Sequence, residues 1–153
     1  MSEGLSWIGI FRLGLVQTAL GSVVILTTST LNRVMVVELA LPAMIPGLLV
    51  SLHYAVQMSR PRLGYGSDIG GRRTPWIIGG ILTLGVGATG ASAATMLMAI
   101  HPAWGFILSL IAFLLIGIGV GAAGTSLLVL LAKLVDGRRK PAAATIVWIM
   151  MIV

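Results

Sequence analysis

The sequence predicts an all-α integral membrane protein, and three observations predict it. Only 9% of the 153 residues are charged and 58% are hydrophobic, whereas a soluble globular domain carries about 25% charged residues. Apolar runs of about 20 residues, enough to cross a hydrocarbon core of about 30 Å, follow one another along the chain. The basic residues gather in short clusters between those runs. A chain this short cannot hide so much apolar surface in one water-soluble core, so lipid is the solvent that fits.

Four full spans and the start of a fifth are read in order: about Ile10 to Thr30, Val36 to Met58, Pro75 to Ile100, Ala103 to Val135, and Pro141 to Val153. Thr74-Pro75 sets a capping residue before a proline at a helix start. His101-Pro102 and Lys140-Pro141 mark two more starts, and Gly137 follows the fourth span where glycine often ends a helix. The first run is too long for a signal peptide, and no small-residue cleavage site follows it. As a helix, residues 141–153 reach only about 20 Å, short of the bilayer. They are expected to continue in a longer protein, with 1–153 its N-terminal part, or else to be capped by a partner.

The net charge of +6 would suggest nucleic acid in a soluble protein. Its distribution excludes that reading, because there is no basic face and no interleaved aromatic. Arg12 lies at the N-terminal edge and Arg33 alone in the first loop. Arg60, Arg62, Arg72 and Arg73 share the second, the third has none, and Lys133, Arg138, Arg139 and Lys140 share the fourth. Cytoplasmic loops are the basic ones. This places the N-terminus, 59–74 and 133–140 in the cytoplasm of a multi-pass inner-membrane protein. Trp7, Trp76 and Trp104 fall near span ends, as interfacial aromatics do, and Trp148 lies seven residues into the fifth. There is no cysteine, hence no disulfide and no thiolate metal site.

The second loop reads Gly64-Tyr65-Gly66-Ser67-Asp68-Ile69-Gly70-Gly71-Arg72-Arg73. It resembles the signature loop of the major facilitator superfamily, G-x-L-a-D-r-x-G-r-r. Gly64, Asp68, Gly71, Arg72 and Arg73 match in register, while Gly66 and Ile69 depart from the pattern. The resemblance implies a superfamily-type helix bundle in which this cytoplasmic motif latches the two halves together. Asp68 would be the latch carboxylate and Arg72 its cationic partner, with Asp136 a further partner for Arg72 or Arg73. An ordinary basic loop is the bland alternative.

The likeness narrows at Gln17 through Ser22, Thr27 through Met35, Leu52 through Gln57, Arg60-Pro61-Arg62 and Asp68 through Trp76. These segments are similar to the bacteriochlorophyll delivery family, the PucC/LhaA-like branch found in phototrophic bacteria. Its members are twelve-helix proteins of light-harvesting complex assembly. The resemblance implies a membrane assembly factor that handles or delivers bacteriochlorophyll to antenna subunits. Its partners would be the pigment and the light-harvesting polypeptides or a reaction-centre antenna complex of the intracytoplasmic photosynthetic membrane. A small-solute transporter of the superfamily and a structural subunit of a pigment–protein complex are the alternatives.

The residues themselves add three candidates. His53 is the only histidine within a span, and a neutral imidazole in an apolar setting suits an axial position on chlorophyll magnesium. Gln57, at i+4 on the same face, would orient the ring or bond a pigment carbonyl. The alternative is a structural histidine bonded to a neighbouring helix. Gln17, Thr18 and Ser22, with Thr27 to Thr30, make the first span the most polar. They either line a central cavity, as the superfamily's first helix does, or bond carbonyls of their own helix.

Glu38 reads as an interfacial ion pair with Arg33. Spans one, three and four hold no ionisable residue at mid-depth, so no coupling machinery for active transport is visible. Gly119 to Gly124 fits G-x-G-x-x-G, but inside a roughly 30-residue apolar run rather than a strand–turn–helix. Gly117 and Gly121, extended by Gly124, read instead as a helix-packing face. No nucleophile–base pair and no paired carboxylates appear, so no enzyme is expected.

Overall fold

The computed structural model describes residues 4–69 and 71–152. Gly70 of the motif and Val153 of the fifth span lie outside them. Every regular element among these residues is helical. The helices are α1 (Trp7–Glu38), α2 (Met44–Gln57), α3 (Arg60–Ile69), α4 (Thr74–Met98), α5 (Pro102–Leu134) and α6 (Lys140–Ile152). Of these, α1, α4 and α5 are long and apolar enough to cross a membrane. Their outward faces carry exposed Leu15, Leu82, Val86 and Ile111, the surface lipid tolerates and water does not.

The third and fourth spans fall within two residues of the expected bounds, with Pro75 and Pro102 in the first turns of α4 and α5. The first two spans are corrected. There is no loop at 31–35: α1 runs on to Glu38 through two π-helical stretches, Leu26–Thr30 and Val34–Glu38. Its hydroxyls bond back within the helix, Thr27 to Val23 O at 2.8 Å and Thr28 to Val24 O at 2.7 Å. The Thr-Ser-Thr cluster therefore does not end the helix. The break comes at 39–43, where Ala40 takes φ +49° and Pro42 offers no N–H. Arg33 and Glu38 are both exposed and form no ion pair with each other.

The second loop is corrected as well. Residues 60–69 are helical, separated from α2 by a two-residue turn at Met58 and Ser59. The motif therefore sits on a helix. Its glycines admit close neighbours: a methyl at Gly64 would lie 3.2 Å from Thr125 Cγ2, and one at Gly66 would lie 2.9 Å from the Trp76 ring. Gly71, after the helix, takes φ +63°, a conformation that penalises any side chain.

Packing without a hydrophobic drive between helices needs close backbones. At Gly80 an added methyl would meet Ala123 N at 2.6 Å, and at Gly87 it would meet Ile116 N at 2.8 Å, so α4 and α5 pack as a tight hairpin. The glycine face of α5 divides among three partners. Gly117 receives the His53 carbonyl and Val56 of α2, Gly121 approaches Leu63 of α3, and Gly119 faces Leu84 of α4. Gly14 and Gly21 of α1 seat Met150 and Met151 of α6.

Two apolar clusters fill the interior. One centres on Leu49, Leu84, Phe113 and Ile116, and the other on Ile10, Leu127, Leu131 and Val147. The N-terminal segment closes the second cluster, with Leu5 N bonding Leu134 O at 2.8 Å and Arg139 stacking on Trp7 at 5.4 Å. The N-terminal end, 59–74 and 133–140 thus share one end of the bundle.

Candidate functional site

A cleft of about 290 Å³ opens between α1, α2, α5 and α6. Leu20, Val24, Val120, Leu128 and Ile152 make its walls apolar, and Tyr54 and Trp148 add aromatic faces. Three polar side chains, Gln17, Gln57 and Arg60, reach the lining. Such a composition, mostly apolar with a few fixed polar groups, is that of small-molecule sites.

The polar groups form a defined chain. Arg60 donates to Gln57 Oε1, and a guanidinium can only donate. That fixes the amide, so Gln57 Nε2 is the group 2.7 Å from His53 Nε2. An amide NH₂ only donates, so His53 Nε2 accepts and the ring is the neutral Nδ1–H tautomer. His53 itself is fully buried, with its backbone against Gly117. It stands behind the cleft wall and holds Gln57, while Gln57 reaches the cleft.

The first-span candidates separate. Gln17 is buried and lines the cleft, donating to Met151 Sδ at 2.9 Å. Its Oε1 is buried without a partner among the described residues. Thr18 bonds Gly14 O at 3.1 Å and Met150 O, tying α1 to α6. Ser22 is exposed on the outer face, away from the lining. Sequence reasoning missed Arg60, which read as one of several loop cations. No local signal separates it from those cations, because the turn at Met58 and Ser59 divides it from the helix that carries His53 and Gln57.

Beside the cleft lies the motif. Asp68 pairs with Arg73 and stands 3.8 Å from Lys133 Nζ of α5. The cation at the carboxylate is thus Arg73, which is 7% exposed, and not the exposed Arg72. The reason is local: with Gly71 in the left-handed region, the chain turns so that position 73 is buried. Asp136 forms no ion pair among the described residues. Its backbone instead receives Gly4. Ser67 is buried, its hydroxyl donating to Gly64 O at 2.8 Å.

Comparison with known proteins agrees with the resemblance to the PucC-like family. Residues 30–153 match the family described as PUCC protein. A Rhodobacter capsulatus protein named bacteriochlorophyll synthase 44.5 kDa chain is 57% identical over 150 residues, 97% of this chain and 35% of the relative. A Cereibacter sphaeroides protein named PucC is 32% identical over 156 residues, 94% of this chain and 34% of the relative. The chain thus spans about a third of the length of these curated relatives. No solved structure matches.

Proposed function

The chain belongs to the PucC protein family, and from that membership we propose that it is part of a membrane assembly factor for photosynthetic light-harvesting complexes. In this reading it holds bacteriochlorophyll and passes it to antenna polypeptides. The observation that carries the proposal is the cleft, apolar on its walls and furnished with Gln17, Gln57 and Arg60. Free chlorin would aggregate in water, so a carrier must offer an apolar face and a few orienting bonds. The unpartnered Oε1 of Gln17 and Nε of Arg60 are the groups present to supply them. When bound, the pigment would supply light absorption, and Gln57, held in place by His53, would donate its free N–H to a pigment carbonyl.

One relative is named as a synthase chain. The cleft's amides and guanidinium bind and orient, which supports a carrier rather than an enzyme. The match of the 64–73 motif to the signature loop supports a major facilitator superfamily-type bundle. Gly64, Asp68, Gly71, Arg72 and Arg73 would form its latch. The shared basic end supports a cytoplasmic N-terminus in the inner, photosynthetic membrane.

The test is the absorption spectrum of the purified full-length protein. A bound, monomeric bacteriochlorophyll band and co-purifying antenna polypeptides are expected. A pigment-free protein that drives solute uptake in vesicles would replace this reading with the transporter.

A further inference from the structure

Resting on the pigment reading, we infer that the amide oxygen of Gln17 is the axial donor to the magnesium of bound bacteriochlorophyll, in place of His53. Gln17 follows the start of α1 at Trp7 by about 15 Å of helix, near the middle of a hydrocarbon core about 30 Å thick. Its side chain lines the cleft and is 6% exposed. Nε2 donates to Met151 Sδ at 2.9 Å, and Oε1 is buried with no partner among the described residues. A polar atom left unpaired at membrane depth is costly, so a ligand that completes it is favoured.

Which atoms are free decides what completes it. Gln57 and Arg60 bring N–H groups to the cleft, and these match the keto, acetyl and ester carbonyls on a bacteriochlorophyll rim. The free atom of Gln17 is an acceptor with no hydrogen to give, and that rim has no N–H or O–H to offer it. The electron-pair acceptor on the pigment is its magnesium, a hard cation that takes oxygen donors. Met151 holds the amide lightly, since a thioether accepts weakly and an unbranched side chain adapts. The oxygen is thereby left to turn to the metal. His53 lacks that freedom. It is fully buried behind the wall, its Nε2 already accepts from Gln57, and its other ring nitrogen carries the proton.

The experiment titrates the full-length protein, in one detergent, with bacteriochlorophyll and with its magnesium-free counterpart bacteriopheophytin, followed by absorption shift. The wild type should bind the magnesium pigment about tenfold tighter or more. Its Qx absorption band, which moves with the number of axial donors on magnesium, should stand at the five-coordinate position. Gln17→Met keeps an unbranched side chain of similar size but replaces the oxygen by a soft thioether. It should bring the ratio near one by weakening bacteriochlorophyll and leaving bacteriopheophytin unchanged. Bacteriopheophytin affinity thus reports an intact cleft, and the ratio cancels differences in micelle partition.

Equal binding of the two pigments by the wild type, or a four-coordinate Qx band, would overturn the ligand and leave the pigment reading standing. Binding of neither would end both. Equal loss of both pigments in Gln17→Met would make Gln17 structural. A preference kept in Gln17→Met but lost in His53→Leu would return the bond to His53.

Discussion

In the wall of the cleft, Gln57 Nε2 stands 2.7 Å from His53 Nε2, and the Arg60 guanidinium on the other end of the amide decides which of them donates. His53 is held neutral with its proton on Nδ1, and its role as placed is to aim Gln57. His53→Leu leaves a half-buried amide donor unpaired, which costs about 1–3 kcal/mol. The variant should therefore lose thermal stability and bound pigment together. His53→Asn, which keeps an acceptor, should lose less of both. Thermal melts and pigment-to-protein ratios on the same preparations check this. Full stability with pigment gone would make His53 a direct magnesium ligand instead.

The helix contacts give a second test with internal controls. Gly79 and Gly85 of α4 face open space, whereas Gly80 and Gly119 lie against the backbone of the partner helix. Replacing a helical glycine by alanine gains about 0.5–1 kcal/mol where there is room. Where backbones touch, overpacking costs about 1–3 kcal/mol. Gly79→Ala and Gly85→Ala should raise the melting temperature, and Gly80→Ala and Gly119→Ala should lower it. A uniform response across the four would contradict the α4–α5 packing.

What the sequence disclosed depended on the kind of signal. Prolines at the starts of α4 and α5 and the long apolar runs between placed both helices within two residues, since each is a local property. The boundary of α1 was misplaced because hydroxyl clusters and a lone arginine mark loops in water. Here Thr27 and Thr28 satisfy themselves on preceding carbonyls, and the chain breaks later at Pro42. Asp68 was legible as a paired carboxylate. Its partner was not, because whether position 72 or 73 turns inward depends on the left-handed Gly71. The cleft was half legible: Gln17 and Gln57 were read, but Arg60 is indistinguishable from a topogenic cation until α6 and Trp148 close the wall opposite.

Topology offers a third prediction. The N-terminal end, Arg72 and Gly137 share one end of the bundle, and Ala40 and His101 lie at the other, since α1 and α4 run one way and α2 and α5 return. With the basic end in the cytoplasm, cysteines at Arg72 and Gly137 should be shielded from an impermeant thiol reagent in intact cells. Those at Ala40 and His101 should react. The reverse pattern would invert the protein, and a mixed pattern would break the bundle.

The Asp68 cluster makes the last test, because two neighbouring arginines are expected to behave differently. Arg73 is buried on the carboxylate, and Arg72 is exposed. Removing Asp68 strands a buried guanidinium, whose Nη1 already lacks a partner, and also releases Lys133 of α5. Asp68 is itself half exposed, so water offsets part of the loss. Asp68→Asn should then destabilise by about 1–3 kcal/mol. Arg73→Gln should cost a similar amount, and Arg72→Gln should stay within about 0.5 kcal/mol, as surface changes do. In the double variant Asp68→Asn/Arg73→Gln the losses should add to less than their sum, the signature of a direct pair. If the motif also latches the full-length protein, Asp68→Asn and Arg73→Gln should both increase labelling of cytoplasmic-side cysteines, and Arg72→Gln should not. Equal effects at positions 72 and 73 would dissolve the assignment of Arg73 as the partner.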